Sequence, residues 1–376
     1  MASTAIVWLR SDLRVHDHPA LTAAAAAHDR VVPLFVVDDR LMDAGRFPSG
    51  PRAAFLRGCL ADLDGALRER GAALVVRHGL PEDVVPDLAA ELGASEVLWT
   101  SDVSPFARRR DRAVTAALAA AGVDASPHPG TFCADVSVPR TKTGKPLTVF
   151  TPFWRVQSAL PRRAVLDPVA RLRLPDGLDP GALPAGPVLA DELPEPFCLP
   201  GEAAGRAAMD AWVAGPVDDY AARHDDLTGG SSGLSPYLRF GCVSARELEQ
   251  RAAGRGGEGA AAFVRQLAWR DFYAHVLLLH PGNARLEFQP RYRELVWDDD
   301  AELLAAWTAG RTGYPLVDAG MRQLAATGWM HNRARMVVGS FLTKDLHLDW
   351  RAGEAWFARM LLDGEPAQNN GNWQWI

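Results

Sequence analysis

No run of about eighteen apolar residues occurs in this chain, so nothing in it predicts a membrane span. Cysteine is scarce. Cys59, Cys133, Cys198 and Cys242 are far apart in sequence. That spacing excludes the paired thiols of a zinc site and the framework of a small disulfide-stapled domain; it suits reduced, buried thiols in a cytoplasmic protein without a metal centre. The segment Met1–Trp8 lacks a basic stretch followed by a long apolar one, and reads as a first strand, not a leader. No G-x-G-x-x-G follows that strand, so a dinucleotide fingerprint is absent. Net positive charge is also lacking: the formal charge is −6 and the pI about 5.9. This argues against indiscriminate coating of nucleic acid, while leaving room for a basic patch on one face.

What is present is an ordinary globular composition, 48% apolar and 23% charged over 376 residues, enough for two or three domains with real cores. Residues 1–130 alternate short β-rich runs (Ile6–Leu9, Val31–Val37, Leu74–Val76, Val97–Trp99) with segments of helical period such as Ala53–Arg70 and Pro81–Leu92. The pattern predicts a Rossmann-like parallel sheet with helices on both faces. Residues 131–204 read as a long connector, its second half interrupted by nine prolines from Pro161 to Pro200. Residues 205–376 read as almost wholly helical. The expected fold class is therefore an α/β domain followed by an all-α domain.

The chemistry concentrates after residue 205. The loop Gly230-Ser231-Ser232-Gly233-Leu234-Ser235 precedes a predicted helix. Hydroxyls and backbone N–H groups at a helix start suit an anionic pyrophosphate. On the helix around Phe263–Leu279, Gln266, Trp269, Arg270 and Tyr273 share one face, mixing amide, indole, guanidinium and phenol. A further helix, taken to run from Thr327, would place Trp329, Asn332 and Met336 on one face. Asp363-Gly364-Glu365 leads to Asn369-Asn370-Gly371-Asn372-Trp373-Gln374-Trp375, and eight of the twelve tryptophans lie from Trp269 onward.

Together with Trp8–Arg14, Gly313–Arg322 and Thr327–Arg333, this ordered set resembles the photolyase/cryptochrome family, most closely the class I cyclobutane-dimer photolyases. The resemblance implies an N-terminal antenna domain and a helical domain that binds FAD. It implies FAD contacts at Tyr220, Ser231, Ser232, Gly233, Leu234, Ser235, Arg270, Arg335, Asp363, Gly364, Glu365 and Asn369. Ser231 replaces the usual Thr, and Gly233 the usual Arg. Asn369 would face flavin N5. Trp373, Trp350 and Trp297 match the family's electron-transfer triad. Gln266, Trp269, Asn332, Arg333, Met336 and Trp375 match the wall that meets damaged DNA.

The implied activity is repair of pyrimidine dimers in UV-damaged DNA by electron transfer from reduced, photoexcited FAD, carried out by a cytoplasmic monomer. Asn332 and Met336 stand where six-four photolyases carry His, which favours cyclobutane dimers. Gln266 stands where dimer-repairing relatives carry Glu, and an amide has no proton to give. That substitution favours a second expectation, a cryptochrome-like blue-light sensor. The antenna pigment, folate or deazaflavin, stays open. The family normally continues beyond Trp375 with helices that close the adenine side of the cavity. An end at Ile376 leads to the expectation of partial FAD occupancy and, at the extreme, of a photochemically silent remnant.

Overall fold

The computed structural model describes residues 2–42 and 45–376. Five strands, β1 (Thr4–Leu9), β2 (Arg30–Val37), β3 (Val75–His78), β4 (Glu96–Thr100) and β5 (Asp124–His128), form one parallel sheet in the order β3-β2-β1-β4-β5. The central strand β1 is buried along its whole length, with Ile6 opposite both Val32 and Val97. Such strands read as continuous apolar runs because both faces of the sheet are covered. β5 was not among the expected strands. Its sequence, Asp-Ala-Ser-Pro-His, carries almost no apolar signal because it lies at an edge, half-buried or exposed throughout. An edge also tolerates Pro127, which has no N–H to offer a ladder.

The helices Pro19–Ala27, Gly50–Arg68, Pro81–Leu92 and Pro105–Ala120 flank the sheet, and each carries a proline in its first turn, where the missing N–H costs nothing. Ser49 and Ser104 cap two of them by accepting from the N–H groups of Arg52 and Ala107.

The two-residue period of β1 separates two cores. Ile6 and Trp8 face a cluster with Val85, Leu88, Val114 and Leu118 from two outer helices. Ala5, Val7 and Leu9 face the other way, into a cluster that runs on without a break through Phe55, Met209, Trp212, Phe240, Leu248 and Phe263. The sheet domain and the helical domain thus share one apolar core.

Polar contacts fix the same junction. The buried Arg14 guanidinium donates to four carbonyls, those of His16, Asp17, Gly130 and Gly241. Glu202 accepts from the N–H groups of Val15 and His16 at 2.7 and 3.0 Å. Asp17, held at a positive φ of 49°, pairs with Arg163 and accepts from Ser244. Gly241 is needed here on two counts: its φ is 68°, and a methyl there would run into the backbone of Ser11 and Asp12.

From Glu202 onward every regular element is helical, apart from a single bridge between Asp298 and Leu348. The longest helix is Gly257–Leu279, at 23 residues. The helix expected from Thr327 is in fact two. Pro315–Thr327 ends at Gly328 in the left-handed region (φ 68°), and Asn332–Ser340 starts after His331 as N-cap. Trp329 lies between them. The last elements are Trp350–Met360 and Pro366–Trp375. Among the described residues, no helix is long and apolar enough to cross a membrane.

The connector is pinned to the long helix by two buried side chains. Asp271 accepts from the N–H groups of Cys133 and Ala134 (3.4 and 3.3 Å) and from Gln157 Nε2 (3.0 Å). His275 Nδ1 donates to the Val136 carbonyl at 2.7 Å while its Nε2 accepts from the Leu147 N–H at 3.3 Å, which defines a neutral ring. Burial lowers the pKa of His275 and so keeps it neutral.

Burial also pushes the Asp271 carboxyl up to about 7. The folded state therefore retains a proton that the unfolded chain releases near pH 4. This group's contribution to stability is full below about pH 4 and declines, by about 1.4 kcal/mol per pH unit, as pH rises toward 7. Comparing thermal unfolding of the wild type and Asp271→Asn from pH 5 to pH 8 should show the wild type losing stability relative to the variant. Parallel profiles would mean that the carboxyl is ionised throughout.

Candidate active-site cavity

One cavity in the helical domain gathers residues from five separate segments. Tyr220 and Ser231 come from the loop side, Gln266, Trp269 and Tyr273 from the long helix, and His331, Asn332, Arg333, Arg335 and Met336 from the helix that starts at Asn332. Phe357, Leu361, Asp363 and Gly364 supply the floor, and Gln368, Asn369, Asn372, Trp373, Trp375 and Ile376 the last wall. An apolar groove lined by Tyr314, Leu316, Val337 and Phe341 adjoins it and shares Arg333, Met336 and Trp375.

At the centre, Arg335 closes on Asp363 in a two-pronged pair, 3.0 and 2.7 Å, with Asp363 nearly buried. Ser235 Oγ donates to the same carboxylate at 2.6 Å and accepts from Trp329 Nε1 at 3.3 Å. Charge-assisted bonds of this kind lock side-chain geometry. Asn369 donates its amide N–H to the Glu354 carbonyl at 3.0 Å. Its Oδ1 has no protein partner among the described residues, so the amide offers the cavity an acceptor. Gly371 is required behind it, because a methyl there would overlap the Tyr273 ring. Burial pushes the Tyr220 phenol up to about 12, so it stays neutral.

The mouth is aromatic. Trp269 stacks on Phe150 with centroids 3.8 Å apart and planes 7° apart, and meets Trp375 edge-on at 6.1 Å. Trp375 is 69% exposed, unusual for so large an apolar ring. Gln266 stands exposed beside it. Asn332 Nδ2 reaches Met336 Sδ at 3.8 Å, so these two form a continuous strip. Arg333 and Asp225, both on the cavity lining, close on each other in a two-pronged pair, 2.6 and 2.7 Å.

Other expected positions take supporting places. Arg270 does not reach the cavity. Its guanidinium donates to the carbonyls of Thr131 and Leu238 and lies over the Phe132 ring. Ser232 accepts from the Leu234 N–H, Gly233 supplies a positive φ, and Glu365 caps the last helix by accepting from Gln368. Only Ser231 of the Ser231–Ser235 run lines the cavity. The helix that follows is six residues long and offers no strong anion seat.

Trp373 is buried at the cavity wall, and Trp350 is buried in the same apolar cluster. Trp297 is half-exposed at the edge of that cluster, against His347. Of the three, Trp297 is the most exposed and Trp373 alone lines the cavity. Trp350 Nε1 donates to Glu287, whose carboxylate is held below its usual range chiefly by hydrogen bonds and by Arg351 despite some burial.

Spacing did not point to three features. Tyr273 donates to Asn372 Oδ1 across two helices at 3.3 Å. Gln368 donates to the Arg270 carbonyl at 2.8 Å. Trp307, fully buried, lies 6.5 Å from Trp373 between centroids. The i, i+4 relation of Gln368 and Asn372 was the only signal in the sequence for any of them.

Comparison with known proteins agrees with this architecture. Residues 5–171 match the model for DNA photolyase, and residues 263–376 the model for the FAD binding domain of DNA photolyase. A deoxyribodipyrimidine photo-lyase from Streptomyces griseus is 45% identical over all of this chain and 82% of its own length. A bacterial class III photolyase from Agrobacterium tumefaciens superposes with a TM-score of 0.89 at 32% identity, over 100% of this chain and 80% of that one. A cryptochrome from Synechocystis sp. PCC6803 superposes at 0.90 with 29% identity, over 99% and 81%. With that identity carried along its whole length, the chain belongs to the DNA photolyase family.

Proposed function

We propose that this protein binds FAD in the cavity and, as a cytoplasmic monomer, reverses cyclobutane pyrimidine dimers in UV-damaged DNA under light. The observation that carries the reading is the convergence of Asp363, Asn369 and Trp373 at the base of a cavity whose mouth is formed by Gln266, Trp269, Asn332, Met336 and Trp375. The donor set fits a flavin: apolar surface from Trp373, Phe357 and Leu361, an open amide oxygen on Asn369, and polar groups from Ser231, Asp363, Gln368 and Asn372. Tyr220, Ser231, Arg335, Asp363, Gly364 and Asn369 would hold it. Ser232–Ser235, Arg270 and Glu365 keep their backbones in place. When bound, reduced FAD supplies the photoexcited electron.

The chain's own residues do the rest. Trp269 and Trp375 offer ring faces and edges to a pyrimidine dimer turned out of its stack, which is least costly where damage has already weakened pairing. Asn332 and Met336 give that wall a hydrogen-bonding and a soft apolar contact, with no imidazole at either position. Glu287 stabilises positive charge on the Trp350 indole, which assists electron movement from Trp297 inward. Gln266 can donate from its amide but cannot protonate the lesion.

Blue-light sensing is the second reading. Gln266 favours it, since sensing needs no acid at the mouth, and the likeness to the Synechocystis cryptochrome supports it.

Purified protein should bind FAD non-covalently, and Asp363→Ala should lower its affinity at least tenfold, because Arg335 and Ser235 lose a charged partner worth about 1.5–3 kcal/mol. A colourless wild type that takes up no added FAD would sink both photochemical readings. Trp373→Phe should keep FAD bound yet slow its photoreduction about tenfold or more, as a ring still fills most of the space. Unchanged photoreduction would show that electrons take another route. Wild type should repair cyclobutane dimers slowly and six-four products not at all, with Gln266→Glu faster by roughly one to two decades. Repair measured at equal FAD loading decides it: no gain on substitution rejects the role given to residue 266, and photoreduction without repair in either form points to the sensor.

A further inference from the structure

The chain has only three lysines, and two of them, Lys142 and Lys145, sit in one tight turn a few residues before Phe150, the ring that stacks on Trp269. The turn is fully cross-bonded. The Thr141 N–H donates to the Lys145 carbonyl and the Gly144 N–H to the Thr141 carbonyl, both at 2.9 Å. Thr141 Oγ1 accepts from the Lys145 N–H at 2.9 Å, and Gly144 adopts a φ of 77°. Arg140 and Pro146 pair as an antiparallel bridge at its base. Below that, His275 grips both stems at once through the Val136 carbonyl and the Leu147 N–H. His275 lies on the same helix as Trp269, and Phe150, three residues past Leu147, stacks on Trp269. The turn is therefore fixed rigidly to the element that carries the cavity mouth.

Both ammonium groups are exposed and have no acidic partner among the described residues. This contrasts with the arginines around the cavity. Arg335 and Arg333 are paired with carboxylates, and Arg270 is engaged with carbonyls. Arg265, exposed one turn before Trp269, makes no ion pair either; its guanidinium lies over Phe150. On a chain of net charge −6, these cations lie on the connector and the helix that meet in the Phe150–Trp269 stack. Lysine is a compact, strongly hydrated point charge suited to phosphate without planar recognition.

Resting on the repair reading above, we propose that the 141–145 turn is a phosphate grip, with Lys142 and Lys145 contacting the backbone of the DNA strand that flanks the lesion. It contributes affinity without sequence or damage preference, while the mouth supplies the preference. The pinned base makes the grip part of the helix that reads the lesion, so that register between phosphate and mouth is set in advance.

The test is equilibrium binding of full-length protein to two duplexes of one sequence, with and without a single cyclobutane thymine dimer, from roughly 0.05 to 0.2 M salt. Replacing both lysines (Lys142→Gln with Lys145→Gln) should flatten the slope of log affinity against log salt by about 1.8. It should weaken both duplexes by a similar factor, about one to two decades, and leave the ratio between them unchanged. Arg68→Ala, on a sheet-domain helix, should alter neither slope nor ratio. An unchanged slope in the double variant overturns the grip, as does a loss confined to the damaged duplex. If the wild type shows no preference for the dimer, the repair reading falls, and the salt slope on the plain duplex still decides the grip. Lys142→Glu with Lys145→Glu should exceed the neutral pair in effect, and equality of the two would also count against it.

Discussion

A single desolvated guanidinium organises this molecule. Arg14 is taken out of water and satisfied by four backbone carbonyls drawn from three stretches of chain. Desolvation lowers its pKa, yet an arginine remains charged, so each of those carbonyls must stay where it is. Leaving such a charge without partners costs several kcal/mol. One of the four carbonyls belongs to Gly241, directly after the helix Ser235–Phe240, whose first residue Ser235 holds Asp363. The position of the cavity floor is thus set from the sheet domain, through a path of hydrogen bonds rather than by the helical bundle alone.

The same logic accounts for the apolar core. The face of β1 bearing Ala5, Val7 and Leu9 is continuous with the core of the helical domain, and the connector is pinned to the long helix at Asp271 and His275. Nothing between the domains resembles a flexible linker at these points. Phe150, which belongs to the connector, supplies half of the aromatic stack at the cavity mouth.

Much of this was legible in residue pattern. The buried strands stand out because both sheet faces are covered, and the aromatic-amide run from Asn369 to Trp375 is too unusual to be ordinary core. The positions that pattern missed share one cause: their role is decided by partners distant in sequence. β5 is a strand because β4 offers it an edge, not because its residues favour one. Arg270 lies on the helix face that spacing assigned, but Thr131 and Leu238 claim its guanidinium. Trp329 falls outside the helix expected to carry it because Gly328 ends one helix, and its indole then serves Ser235. Trp307 carries no local mark at all; only the packing around Phe357 brings it near Trp373.

The amide of Asn369 has one further consequence. One of its two N–H groups is tied to the Glu354 carbonyl, which fixes the amide plane and leaves Oδ1 free to accept and the second N–H free to donate. A ring edge that bears a hydrogen opposite Oδ1 gains a bond there, whereas the same edge with a bare lone pair gains none from that oxygen. A heterocycle that differs between two oxidation levels by one such hydrogen would be held more tightly in its protonated, electron-rich form. Where a ring meets Oδ1 in this way, the cavity wall would bias a redox equilibrium through the direction of one side-chain amide, with no charge required.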